Sequence, residues 1–136
     1  MGRLIDTSIF IEAERARLNL YPFIAANIED GFFMSVITVS ELLHGVHRAT
    51  PKYKKRRSTT VERWIEEFPI IDIDLDVARE HSRLHSELKS SGQLIGTHDQ
   101  WLAATCLTQN LTMVTANVRE FSRVPGLIVE NWSTIS

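Results

Sequence analysis

The sequence predicts an α/β fold, a parallel sheet with helices on both faces, and three observations carry that expectation. Short apolar runs alternate with segments whose apolar residues recur at helical spacing. Helix-start and helix-stop residues punctuate the chain between them. No repeat, low-complexity tract or Pro/Gly/Ser-rich linker interrupts the alternation, so residues 1–136 read as one domain.

In order, LID (4–6) reads as a short buried strand, followed by a helix-start signal at Ser8 and helical segments to about Asp30, with Gly31 closing the unit. FFMSVI (32–37) is a second strand and TVSELLHGVHRA (38–49) a helix, in which Leu42, Leu43 and Val46 keep helical spacing. The charged run PKYKKRRSTT precedes a helix at 60–68, and Pro69 ends it before the strand IIDI (70–73). Asp74 or Asp76 caps a helix to about Ser90, with Val77, His81, Leu84 and Leu88 on one face and Gly92 after its end. Thr97 caps another, to Gln109. LTMVTA (111–116) is a strand, 117–121 a turn of helix and LIVEN (127–131) the last strand.

Composition narrows the function. With 136 residues and 43% hydrophobic content the chain can bury one core. A formal net charge of −2 excludes a protein that binds polyanions over its whole surface, so any nucleic-acid contact must be local. The single cysteine, Cys106, sits in the apolar run AATCL, which excludes an internal disulfide and suits a buried position in a reducing compartment. No run approaches the roughly 18 apolar residues of a membrane span, and a cytoplasmic location is expected.

In parallel sheets, ligands bind beyond the carboxyl ends of the strands. Asp6 ends the first strand, Glu41 follows the second, Asp99 lies in the first turn of the helix begun at Thr97, and Asn117 follows the strand ending at Thr115. Each has an ordinary explanation. Thr38 to Glu41, Thr97 to Gln100 and Asn117 to Glu120 are capping boxes by sequence, and Asp99 would suit a helix dipole. Their coincidence argues for more. Three acids at neighbouring strand ends repel one another by about a kcal/mol per pair even at surface dielectric. A hard divalent cation, Mg²⁺ or Mn²⁺, removes that strain, and such a site suits phosphodiester hydrolysis by an activated water. No nucleophile elbow and no glycine-rich phosphate loop is present.

The segments LIDTSIF, SVITVSELLHG, GQLIGTHDQWLAA and MVTANVREFSRVPGLIVENW together resemble PIN-domain ribonuclease toxins of the VapC type over nearly the whole chain. The resemblance implies an α/β/α sandwich around a mostly parallel sheet of four to five strands. It implies that Asp6, Glu41 and Asp99 ligate Mg²⁺ or Mn²⁺, with Asn117 where a fourth acid often stands and Glu120 one helical turn on as a substitute. Ser8, where Asn is frequent, and Thr115 are expected to support the site. It further implies endonucleolytic cleavage of RNA, a small VapB-like antitoxin as partner and a homodimer.

Two rival readings predict different residues. A phosphatase or phosphoacceptor domain requires a second acid beside Asp6, where Thr7 and Ser8 stand. A catalytically inactive PIN-like module that binds RNA or protein draws support only from Asn117. Lys54, Lys55, Arg56 and Arg57 form the basic run best placed for RNA phosphates, with Tyr53 available for base stacking. His81 and His85 are four apart, but Ser82 stands where a metalloprotease motif needs Glu. Phe10, Trp64, Trp101 and Trp132 are read as core or interface packing.

Overall fold

The structure, a computed structural model, describes residues 2–132. Its strands are β1 (Arg3–Ile5), β2 (Phe32–Ser35), β3 (Ile70–Ile71), β4 (Thr112–Val114) and β5 (Val129–Glu130). All four strand pairings are parallel, in the order β3-β2-β1-β4-β5. The helices are α1 (Thr7–Glu14), α2 (Leu20–Ala26), α3 (Val36–Arg48), α4 (Pro51–Glu67), α5 (Leu75–Ser90), α6 (Thr97–Gln109) and α7 (Val118–Phe121).

Two apolar layers sandwich the sheet. Neighbouring strand residues point to opposite faces, so Ile5, Met34 and Val114 join Phe10, Leu42, Trp64 and Trp132 on one side, while Leu4 and Met113 join Leu84, Leu102, Cys106 and Phe121 on the other. Phe10 meets Trp64 at 5.0 Å and the edge of Phe68 at 5.4 Å between ring centroids, which ties α1 to α4. Cys106 is buried as expected, and so are Phe10, Trp64 and Trp132. Trp101 is only partly buried and stacks at 3.7 Å on His81.

The order of strands steps outward from β1 to β3 and then returns to the other side of β1 at β4. The crevice at such a reversal, above the carboxyl ends of β1 and β4, is where α/β sheets admit ligands.

Several boundaries differ from the sequence expectation. The strand expected over 32–37 ends at Ser35, whose hydroxyl accepts from the Ile37 amide at 3.0 Å and starts α3 two residues before Thr38. The charged run beginning at Pro51 is the first half of α4, with proline in its first turn, where a missing N–H costs nothing. Asp74, rather than Asp76, caps α5 by accepting from the Val77 amide at 2.9 Å. Gly92 follows at φ +69°. The cap of α6 is Gly96, not Thr97, and it makes no side-chain bond.

Candidate active site

Those shifted boundaries remove the ordinary explanations of the acids. With α3 capped by Ser35, Glu41 lies more than a turn inside the helix, and the capping box from Thr38 does not form. Gln100 turns to the Ile95 carbonyl and to His85 instead of capping α6. Asn117 holds the position before α7 without a side-chain cap.

Asp6 stands at the end of the central strand and is 2% exposed. Its Oδ2 accepts from Ser8 at 2.7 Å and from Thr115 at 2.7 Å, and the two hydroxyls lie 3.3 Å apart. The Ala116 amide donates to Ser8 Oγ at 3.0 Å, and the Asn117 amide to Thr115 Oγ1 at 2.9 Å. The turn after β4 is thereby fastened to the turn after β1. Burial pushes the Asp6 carboxyl up from its ordinary range, the two hydroxyls oppose that, and the charge on Glu41 reinforces it.

Glu41 faces the same crevice from α3. Thr7 donates to its Oε1 at 2.8 Å, and the Thr38 hydroxyl lies 3.0 Å from that of Thr7 in the buried layer below. His98 Nδ1 approaches the other oxygen at 3.3 Å from the mouth of the cleft. Asp99 enters from the first turn of α6, and a side chain at Gly96 would place its Cβ 3.3 Å from Asp99 Oδ2. Burial, a hydrogen bond with Glu120 and the charges of Asp6, Glu120 and Glu41 push Asp99 up to about 7.

The structure thus brings Asp6, Glu41, Asp99 and Glu120 within mutual electrostatic reach, with Ser8 and Thr115 beside them. Asn117 contributes its backbone amide, while its side chain is exposed. Thr7 and Thr38 went unnoticed as site residues in the sequence. Thr7 directly follows Asp6, and Thr38 lies three residues before Glu41, the two positions from which a hydroxyl could have been expected to steady an acid.

All donors here are hard oxygens, the set that Mg²⁺ or Mn²⁺ prefers. Among the described residues no three acidic, histidine or cysteine side chains form a closed coordination group. That openness suits a cation that keeps several waters and takes one or two carboxylates.

Comparison with known proteins agrees with this architecture. The PIN domain family matches residues 3–127. Ribonuclease VapC2 of Rickettsia felis is 30% identical over 133 residues, covering 95% of this chain and 96% of that protein. The tRNA(fMet)-specific endonuclease VapC of Salmonella typhimurium is 32% identical over 99 residues, 73% of this chain and 74% of its own. Among solved structures, DNA-bound VapBC from Salmonella typhimurium superposes with a TM-score of 0.89 at 27% identity, covering 97% of this chain and 98% of that one. VapBC2 from Rickettsia felis, bound to a DNA fragment from its promoter, gives 0.86 at 29%, covering 97% and 99%. The chain belongs to the PIN-domain family, in its VapC branch.

Proposed function

We propose that the protein is the toxin of a VapBC-type toxin–antitoxin pair, an Mg²⁺- or Mn²⁺-dependent endoribonuclease that hydrolyses RNA phosphodiester bonds at this carboxylate cluster. The single observation that carries the reading is the convergence of Asp6, Glu41, Asp99 and Glu120, which hold one another's protons at the switch point of the sheet. Their relatives are named for ribonuclease activity, and the superposed complexes carry an antitoxin. A VapB-like antitoxin is accordingly the partner proposed here, with a homodimer and a cytoplasmic location. Among the described residues no helix is long and apolar enough to cross a membrane.

Asp6, Glu41 and Asp99 would hold the ion. Bound there, it would supply Lewis acidity, lowering the pKa of a water and offsetting charge on the phosphoryl oxygens. The chain's own groups do the positioning. Ser8 and Thr115 fix the face that Asp6 presents, Thr7 fixes Glu41, and Asp99 can carry a proton shared with Glu120. Asn117 leaves the fourth acidic place without charge, and Glu120 takes it.

The test is cleavage of labelled structured RNAs with Mg²⁺, with Mn²⁺ and with chelator, beside Asp99→Asn. Cuts that need the metal and vanish in the variant are expected. Wild-type inactivity on every RNA, with metal bound, would overturn the reading in favour of an inactive binding module.

A further inference from the structure

Two hollows flank α1, and they are continuous. One, of about 690 Å³, opens on Glu41 and His98 and runs along α3 past His44, Gly45 and Arg48. The other, about 720 Å³, lies between the α1–α2 turn and α4 and does not touch the carboxylates. Both are bordered by Glu14, Arg15 and Arg57, so one groove leads from the acids to the face of α4 that carries Tyr53 and Arg56. Of the basic run singled out in the sequence, Arg56 and Arg57 border this groove, whereas Lys54 and Lys55 are exposed outside its lining.

Two independent features of the groove point to a polyanionic strand. Its rim is cationic: Arg57 is held against Glu14 at 2.7 Å, while Arg15, Arg48 and Arg56 are exposed and form no ion pair among the described residues. Its floor is Gly45, in mid-helix, where glycine is costly relative to alanine. A Cβ at Gly45 would meet nothing within 4 Å. Packing therefore does not require glycine there. What glycine does provide is close approach to the helix backbone. Glu41, Gly45 and Arg48 succeed one another along one face of α3, so the bare floor lies between the acids and the first free cation.

We propose that this groove is the bed of a single-stranded RNA segment, whose sugar-phosphate chain crosses α3 at Gly45 and is held by Arg48, Arg15 and Arg56 on the way to Tyr53. The proposal rests on the ribonuclease reading for the direction of the strand, and it assigns binding to residues outside the carboxylate cluster. Tyr53, 45% exposed, offers a ring face on which a base can stack.

The experiment measures anisotropy of a fluorescein-labelled 12-nucleotide single-stranded RNA in chelator, across a salt series, so that no cleavage occurs. Against wild type stand Gly45→Leu, the triple variant Arg15→Gln/Arg48→Gln/Arg56→Gln, and the control Lys54→Gln/Lys55→Gln. The triple variant is expected to reduce the slope of log K against log salt by about 2, at about 0.7 per phosphate contact, and the control to leave it unchanged. Gly45→Leu is expected to weaken binding by roughly tenfold while raising Tm by about 3 °C, which separates a blocked floor from a damaged fold. Wild-type affinity and slope in both groove variants overturn the proposal, and that is also the outcome if the groove seats only an antitoxin segment. Cleavage by wild type in Mg²⁺ is scored separately: binding that follows these expectations without any cleavage defeats the ribonuclease reading and leaves the groove assignment standing.

Discussion

Asp99 and Glu120 are joined carboxyl to carboxyl by a hydrogen bond, which requires that one of the two be protonated. The pair stores repulsion that the fold alone does not need, and a proton or a cation relieves it.

The first prediction concerns pH. Asp99 is raised to about 7, so the folded protein holds more protons than the unfolded chain between the ordinary aspartate range and neutrality. Stability then falls as pH rises through that window. Without divalent ion, the urea midpoint should decline from pH 5 to pH 7. Asp99→Asn should flatten that decline and raise stability at pH 7 by on the order of 1 kcal/mol, discounted for the partial exposure of the group. Mg²⁺ should stabilise wild type and not the variant.

His81 should act in the opposite sense. Its Nε2 is buried without a hydrogen-bond partner, and burial, then the charge of His85, lowers its pKa. A histidine kept neutral contributes stability that is complete above its unfolded pKa of about 6.5 and is lost as pH falls below it. In the Asp99→Asn background, stability should drop on going from pH 7 to pH 5.5. His81→Phe, which keeps a ring against Trp101, should lessen that drop. An imidazole that titrates at or above the ordinary value by NMR would contradict this.

Thr7 is expected to matter to catalysis through Glu41. Thr7→Val removes the hydroxyl that donates at 2.8 Å. Loss of such a supporting bond lowers metal affinity or activity by about 10- to 100-fold, and stability by about 1 kcal/mol. Thr7→Ser, which keeps the donor, should recover most of the activity at similar metal concentration.

Ala16 provides a test remote from the acids. It ends α1 at φ 58°, while the Arg17 amide reaches back to the Glu12 carbonyl at 2.9 Å. A Cβ in this left-handed position is strained, and Ala16→Gly should raise the urea midpoint, corresponding to about 0.5–1 kcal/mol. An unchanged midpoint would show that the turn tolerates the methyl.

The order of elements and the strand-end acids were legible in the sequence because both depend on local pattern, namely apolar period and the residue at which it breaks. Asp6, Glu41 and Asp99 could be placed near one another for that reason. Their bonding could not. Ser35 out-competed Thr38 for the start of α3, a choice of two residues that decides whether Glu41 caps a helix or faces a cleft. The helicity of the charged run from Pro51 came from Val61 and Trp64, which bury the far half of α4 and carry the near half with it. Gly45 left no signal at all, since a glycine in a helix reads only as a weak helix former until the empty space beside it is seen.

The bond between Thr115 and Asp6 spans 109 positions of sequence. Asp6 leaves the ribosome near the start of synthesis and its anchor near the end, and the central strand cannot gain its β4 neighbour before then. A nascent chain short of residue 115 therefore carries a carboxylate without the hydroxyl that orients it and a sheet open on one side. Chain growth acts as a safety catch, withholding a destructive activity from the translating polysome until the polypeptide is nearly whole.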